Sequence, residues 1–494
     1  MPAEARPGEP YPGPVLDLLA AAGDRTVFEH GARAVSGARM LGLVRRVAAG
    51  LRAAGLGPGD GVALRLGVTP EAFAAVIAGH VVGARVVGVR PGLPPAQLRH
   101  VLHQDVTAVV ADDGTGTLAL ADLLATPDEG GRPQPSGRPG DVARLLYTSG
   151  STGTPKACAQ TYAAMSAAWT ARPEAWPPAI RELASRLRRY LVFGSLSSQV
   201  MMEYGVLTLA AGGTMVVADP PAFPEAITGL GATASVITVP RLYQLVAAQR
   251  RRPADLSSLR ALMVSGSPLA ASRLREALDV LGPVVFHGYG QTETGTISMA
   301  TPWDVPPSVG FPPDVVDVVV RGPDGRPVPP GVDGELYVRT PAQAAGYWND
   351  PGRSAEVFVD GWVRTRDLGH FDADGRLYLT GRTRDVVIVN ANLYYTGPIE
   401  RVLAAAPGVA EAYVVAAPDE ETGEAAHAFV VPAADRVPDL DALRELVGER
   451  LGGACVPATI TVVDEVPVGP GGKPDKRLLL PAIPRPEDGP VRLA

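Results

Sequence analysis

The chain reads as an α/β protein: a large N-terminal domain of layered, mostly parallel sheets with helices, followed by a small α+β C-terminal domain. Three observations lead there. Its 494 residues, 46% of them hydrophobic, exceed what one core usually organises. Short apolar runs bounded by turns alternate with helical stretches, the pattern of parallel strands covered on both faces. Beyond about residue 380 this gives way to a shorter mixture of strands and helices, a usual domain size.

Met40, Val44, Val47 and Leu51 recur at helical spacing, with Arg45, Arg46 and Arg52 off that stripe. Gly57-Pro58-Gly59-Asp60 then turns the chain into the apolar run Val62–Leu66. Similar runs at Ala84–Val89, Thr107–Ala111, Gly213–Ala218, Ala234–Thr238 and Val284–His287 are expected strands. The Pro/Gly-rich segment Thr126–Gly140 reads as a surface loop. In the last part, Val386–Asn390, Tyr413–Ala416 and His427–Val431 are expected strands, and Ile399–Ala405 and Leu440–Leu451 helices. The divisions are then 1–380 for the core, 381–386 for a hinge, 387–481 for the small domain and 482–494 for a disordered tail.

Composition excludes several classes. Net charge is -7 with no basic run, so nucleic acid is not an expected partner. The longest apolar stretch, Ala72–Val89, is interrupted by His80, Gly83 and Arg85 and suits a helix followed by a strand better than a membrane span. The first residues are polar and lack a signal-peptide core. Two cysteines, Cys158 and Cys455, make neither a disulfide framework nor a metal cluster and read as packed thiols. A cytoplasmic protein without a membrane partner is the resulting expectation.

The strongest local signal is Tyr147-Thr148-Ser149-Gly150-Ser151-Thr152-Gly153-Thr154-Pro155-Lys156. Small hydroxyl residues supply donors, glycines bring backbone N–H groups near an anion, and Lys156 adds a full positive charge. The spacing is not that of a P-loop. The run resembles the phosphate-binding signature of the adenylate-forming superfamily, which includes acyl-CoA synthetases, peptide-synthetase adenylation domains and luciferases. The similarity extends from about residue 25 to about residue 480 through further anchors in the same order.

That resemblance implies roles for particular residues. Gly288-Tyr289-Gly290-Gln291-Thr292-Glu293 resembles the second nucleotide motif. Thr292 would contact the α-phosphate of ATP, Glu293 would hold Mg2+ and Tyr289 would stack near adenine. Ser265-Gly266-Ser267 resembles the strand end lining the acyl and adenine pockets. Asp367, in Gly361–Gly369, would accept hydrogen bonds from both ribose hydroxyls, and Arg382 would meet the ribose or phosphate. Arg366 stands where the family usually has Gly. Lys473, in Gly471–Lys476, would bridge the attacking carboxylate and the α-phosphate from a mobile C-terminal domain. The reaction implied is adenylation of a carboxylic acid, giving acyl-AMP and pyrophosphate. CoA or a separate carrier protein would then accept the acyl group.

The substrate stretch reads Phe193-Gly194-Ser195-Leu196-Ser197-Ser198. Gly194 stands where amino-acid-activating relatives carry an Asp, which favours an aryl or alkyl acid over an α-amino acid. Ser198 replaces a frequent His, and His287 is the expected compensating pocket residue together with Phe193, Ser265 and Gly266. Ala391 stands where a tunnel glycine is usual. Two further readings stay open: activation of a nonstandard oxyacid such as nitrite for diazotisation of an aromatic amine, and a non-catalytic ATP-binding regulator.

Overall fold

The computed structural model describes residues 10–483 except 104, 129, 149–154, 219–222, 391, 420–421, 434–435 and 470–472. Two large sheets dominate the N-terminal part. The eight-stranded sheet has a parallel interior running through Thr26–His30, Thr214–Val217, Arg189–Leu191, Ala234–Thr238, Ala261–Ser265 and Val285–Gln291. Antiparallel strands Arg33–Ser36 and Gly295–Ala300 close its two edges. The seven-stranded sheet is parallel around Gly61–Arg65 and passes through the antiparallel hairpin of Val142–Thr148 and Lys156–Thr161 to the edge strand Gly346–Tyr347.

Helices Gly37–Ala53, Pro70–Val81 and Gln199–Ala210 contribute to one apolar core that also takes residues from both sheets, from Val15 to Met299. Pro70–Val81 begins where Thr69 accepts from Ala72 N and Pro70 occupies the first turn, a start that satisfies one free donor and wastes none. The apolar stretch Ala72–Val89 is thus the helix Pro70–Val81 followed by the strand Arg85–Gly88. No helix among the described residues is long and apolar enough to cross a membrane.

A third, five-stranded sheet built from Asp317–Arg321, Gly334–Arg339, Phe358–Val359, Trp362–Phe371 and Leu377–Arg382 is antiparallel throughout, unlike the mostly parallel expectation for this region. The turns at Asp360-Gly361 and 372–376 are short and rich in Gly and Asp, which lets neighbouring strands reverse directly. Sheet membership changes between Arg382 and Val386. The last sheet comprises Val386–Val389, Asn392–Tyr395, Val409–Asp419, Gly423–Pro432 and Thr459–Val462. Helices Thr396–Ala404 and Leu440–Leu451 share a core with it. Residues 484–494, the expected tail, lie outside the described residues.

Candidate active site

The site forms where the C-terminal ends of parallel strands meet the antiparallel sheet, the usual place for ligands in open α/β sheets. The hairpin register sets Thr148 opposite Lys156, so the phosphate-loop ends are held together. Ser149, Gly150, Ser151, Thr152 and Gly153 lie outside the described residues. The Gly288-Tyr289-Gly290-Gln291 segment is extended. It continues the strand Val285–Gln291, which delivers Thr292 and Glu293 at its end.

Tyr347 joins two of the expected residues. Its hydroxyl donates to Glu293 Oε1 at 2.7 Å, and Lys156 Nζ lies 5.1 Å from its ring centroid. Cys158 is fully buried beside the same carboxylate; burial, then Glu293, raises its thiol pKa well above the usual range. Neither Tyr347 nor Cys158 is legible in the sequence as part of the site, because their link to Glu293 is made only by folding.

Asp367 is 5% exposed, so its charge requires partners. Tyr289 Oη donates to Oδ2 at 2.8 Å, Gln291 Nε2 to Oδ2 at 2.6 Å and Arg382 Nε to Oδ1 at 2.9 Å. An ionised carboxylate offers about four acceptor sites, so about one remains. A ribose diol can use both expected bonds only by displacing one of these donors. Tyr289 itself is buried among Ile297, Val309 and Leu336, with its hydroxyl committed to Asp367. Arg366 takes φ 62°, the left-handed region where glycine costs least, and is held by Glu356 at 2.8 Å and by Thr383 N on its carbonyl.

Lys473 reaches this cleft from the C-terminal part. A Cβ built on Gly266 would lie 3.2 Å from Lys473 Cε, and Gly266 has φ +100°, so a side chain there would both strain the backbone and push on the lysine. Burial lowers the Lys473 pKa, Arg382 and Arg90 lower it further, and Glu293 and Asp367 work against them. Ser267, next in the chain after Gly266, carries a buried hydroxyl oxygen with no hydrogen-bond partner.

The expected substrate pocket is only partly assembled. Alternate strand residues point to opposite faces. A Cβ at Gly288 would meet Met263 Sδ at 3.1 Å, Met299 Cε at 3.7 Å and Ser265 Cβ at 3.9 Å, so these residues share one face. His287 therefore points the other way. It is buried against the Ser308 main chain, and burial lowers its pKa to about 4. It is not a pocket residue on the Gly288 side. Phe193 is also turned aside, 5.0 Å from the Phe223 ring and beneath the Arg241 guanidinium. Ser198 does line a cavity of about 50 Å3, with Ser197, Gln199 and Met202. Gln199 Nε2 lies 3.8 Å from the Cβ position of Gly295, which sets that cavity beside the Thr292–Glu293 segment.

Comparison with known proteins finds relatives over most of the chain. Residues 18–348 match the family model "AMP-binding enzyme", and residues 398–473 match "AMP-binding enzyme C-terminal domain". A feruloyl-CoA synthase from Amycolatopsis sp. is 33% identical over 467 residues, covering 91% of this chain and 94% of that protein. The fatty acid–[acyl-carrier-protein] ligase ScoC of Streptomyces coeruleorubidus is 31% identical, covering 87% and 88%. The solved amide bond synthetase McbA from Marinactinospora thermotolerans superposes with a TM-score of 0.81 at 33% identity, covering 95% of this chain and 99% of that one.

Proposed function

The chain belongs to the AMP-binding enzyme family and is an ATP-dependent, AMP-forming ligase that adenylates a carboxylic acid, and we propose that this acid is an aryl or alkyl acid, not an α-amino acid. The carrying observation is Lys473 lying against Gly266 among Glu293, Asp367 and Arg382. A flexible cation is thereby set where an acid and the α-phosphate of ATP would meet. A Cβ at Gly194 would meet Met201 at 3.3 Å, and Gly288 faces Met263 and Met299. The nearby cavity is lined by Leu64, Val76 and Leu196 together with His80, Arg144, Ser197, Ser198 and Gln199, and this lining carries no carboxylate to pair with an ammonium.

In this reading a carboxylate oxygen attacks the α-phosphorus, the bond to the bridging oxygen breaks, and pyrophosphate leaves. Lys473 holds the attacking carboxylate and the α-phosphate together. Lys156 and Thr292 neutralise and orient the phosphates, while Asp367 and Arg382 hold the ribose. Glu293 is the one expected cation ligand, and no group of three or more ligating side chains occurs among the described residues. That donor set fits Mg2+, which binds through one or two carboxylates and substrate phosphates. When bound, Mg2+ supplies charge neutralisation on the phosphates.

CoA or a separate carrier protein is the proposed acceptor, by analogy with the feruloyl-CoA synthase and ScoC. An amine acceptor is the second reading, favoured by the resemblance to McbA. Both described cysteines are free and buried, in keeping with a reducing cytoplasmic setting. The test is pyrophosphate release from ATP and Mg2+ with aryl acids, alkyl acids, amino acids and nitrite, each with and without CoA. Release with aryl or alkyl acids, and an acyl-CoA when CoA is present, is the expected result. Release only with amino acids, or only with nitrite and an aromatic amine, overturns it.

A further inference from the structure

Tyr347 lies 54 residues beyond Glu293 and 191 beyond Lys156 in the chain, yet touches both. Its short strand Gly346–Tyr347 pairs antiparallel with Lys156–Thr161, opposite Ala159 and Cys158. Its backbone is fixed further: Tyr347 N donates to Ser354 Oγ at 2.9 Å, and Ser354 Oγ in turn donates to Asp350 O at 2.7 Å. The ring packs edge-on to Phe358 at 5.6 Å between centroids. The side chain is therefore a rigid post.

Two polar engagements leave that post. The hydroxyl donates to one oxygen of Glu293, a charge-assisted bond of 2.7 Å that fixes the rotation of the carboxylate. The ring face receives Lys156 Nζ at 5.1 Å, inside the range of a cation–π contact. Glu293 and Lys156 come from different sheets, at the end of Val285–Gln291 and the start of Lys156–Thr161. One side chain thus engages both, its hydroxyl taking the carboxylate and its ring face the ammonium.

We propose that Tyr347 is a positioning residue for adenylation: it keeps the Glu293 carboxylate oriented for the cation on ATP and holds Lys156 over its ring face, placed for the phosphates. The inference rests on the roles assigned above to Glu293 and Lys156. Groups that orient a metal ligand without touching the metal commonly change affinity by about 10- to 100-fold when removed.

The test uses the full chain and equilibrium calorimetry with Mg·ATP and with ATP in chelator, alongside initial rates. Tyr347→Phe keeps the ring and loses the hydroxyl. It should bind Mg·ATP about tenfold more weakly, bind metal-free ATP within about twofold of wild type, and need more Mg2+ for half-maximal rate with an unchanged KM for the acid. Tyr347→Leu should also weaken metal-free ATP, because Lys156 is no longer held. Unchanged Mg·ATP binding by Tyr347→Phe overturns the proposal, as does equal weakening with and without metal. Identical behaviour of the two variants overturns the Lys156 half. Glu293→Gln separates the role of Tyr347 from that of Glu293. If it loses the Mg2+ dependence and Tyr347→Phe does not, only the role of Tyr347 falls. If Glu293→Gln keeps wild-type Mg2+ dependence, the assignment of Glu293 falls and the proposal with it.

Discussion

His287 and His80 are both buried, with Nδ1 atoms that find no partner. Burial lowers their pKa values to about 4 and about 3, so both are neutral in the folded protein at pH 7. An unfolded chain takes up protons on histidine near pH 6.5, and the folded one does not. The unfolded state therefore binds more protons below that pH, and stability falls with acidification between about pH 6.5 and about 3, the His287 part being complete near pH 4. For His287 alone the loss reaches roughly 3 kcal/mol at pH 4. Chemical denaturation across that range should show the decline, and His287→Leu should flatten it; an equally steep decline in that variant would contradict this origin. Lys473 gives a prediction on the other limb. Its lowered pKa means that its charge is lost below the usual lysine range as pH rises. The alkaline limb of kcat/KM, which reports the free enzyme, should fall below about pH 10.4. Lys473→Arg should move that limb upward, whatever it does to the rate.

Among the elements, the strands Trp362–Phe371 and Leu377–Arg382 carry the proposed ribose end of the site. Their register sets Asp367 opposite Arg382. Asp367→Asn turns an acceptor toward three donors into a mixed amide, leaving Arg382 without its charge partner. ATP binding should weaken about tenfold or more, since hydrogen bonds to a charged group contribute roughly 1.5–3 kcal/mol. Calorimetry reads it, and unaltered affinity would remove Asp367 from the site.

Much at the scale of elements is legible in the sequence. The helix Leu440–Leu451 is legible to the residue, and Lys156, Glu293, Asp367, Arg382 and Lys473 stand out because each sits in a short local motif. The illegible features are non-local. Strand parity turns His287 away from Gly288, and no spacing in the sequence marks which face of Val285–Gln291 meets the acid. Tyr347 sits in a two-residue strand whose partner lies nearly two hundred positions earlier. The Gly/Pro/Asp-rich stretch before Arg382 does not announce an antiparallel sheet, because in Trp362–Phe371 polar residues, Thr365 and Asp367, take buried positions that an apolar alternation would mark.

Across the whole molecule, the site is complete only because the C-terminal sheet is seated over the cleft. Lys473 comes from that part, and its neighbour Lys476 holds Asp385 at 2.8 Å and Glu400 at 2.6 Å, tying the 383–386 crossing to the same segment. Arg273, on the helix Ala271–Leu281, reaches Glu411 on Val409–Asp419 at 2.8 Å, with both side chains largely shielded from solvent. Glu411→Gln keeps the shape and removes the charge. Adenylation should slow roughly fivefold or more, the equivalent of about 1 kcal/mol of lost bias toward this arrangement, with ATP binding little changed. Equal loss of ATP binding would show that the pair supports the fold of the large part instead. The role proposed for Lys473 is in the adenylation step itself. Single-turnover formation of acyl-AMP by wild type and Lys473→Ala, at saturating ATP and acid with nucleotide affinity measured in parallel, tests it most directly. The expected result is a rate lower by a factor of about 100 or more with ATP affinity within about threefold of wild type. A near-normal rate, or a loss explained entirely by weaker ATP binding, would contradict it.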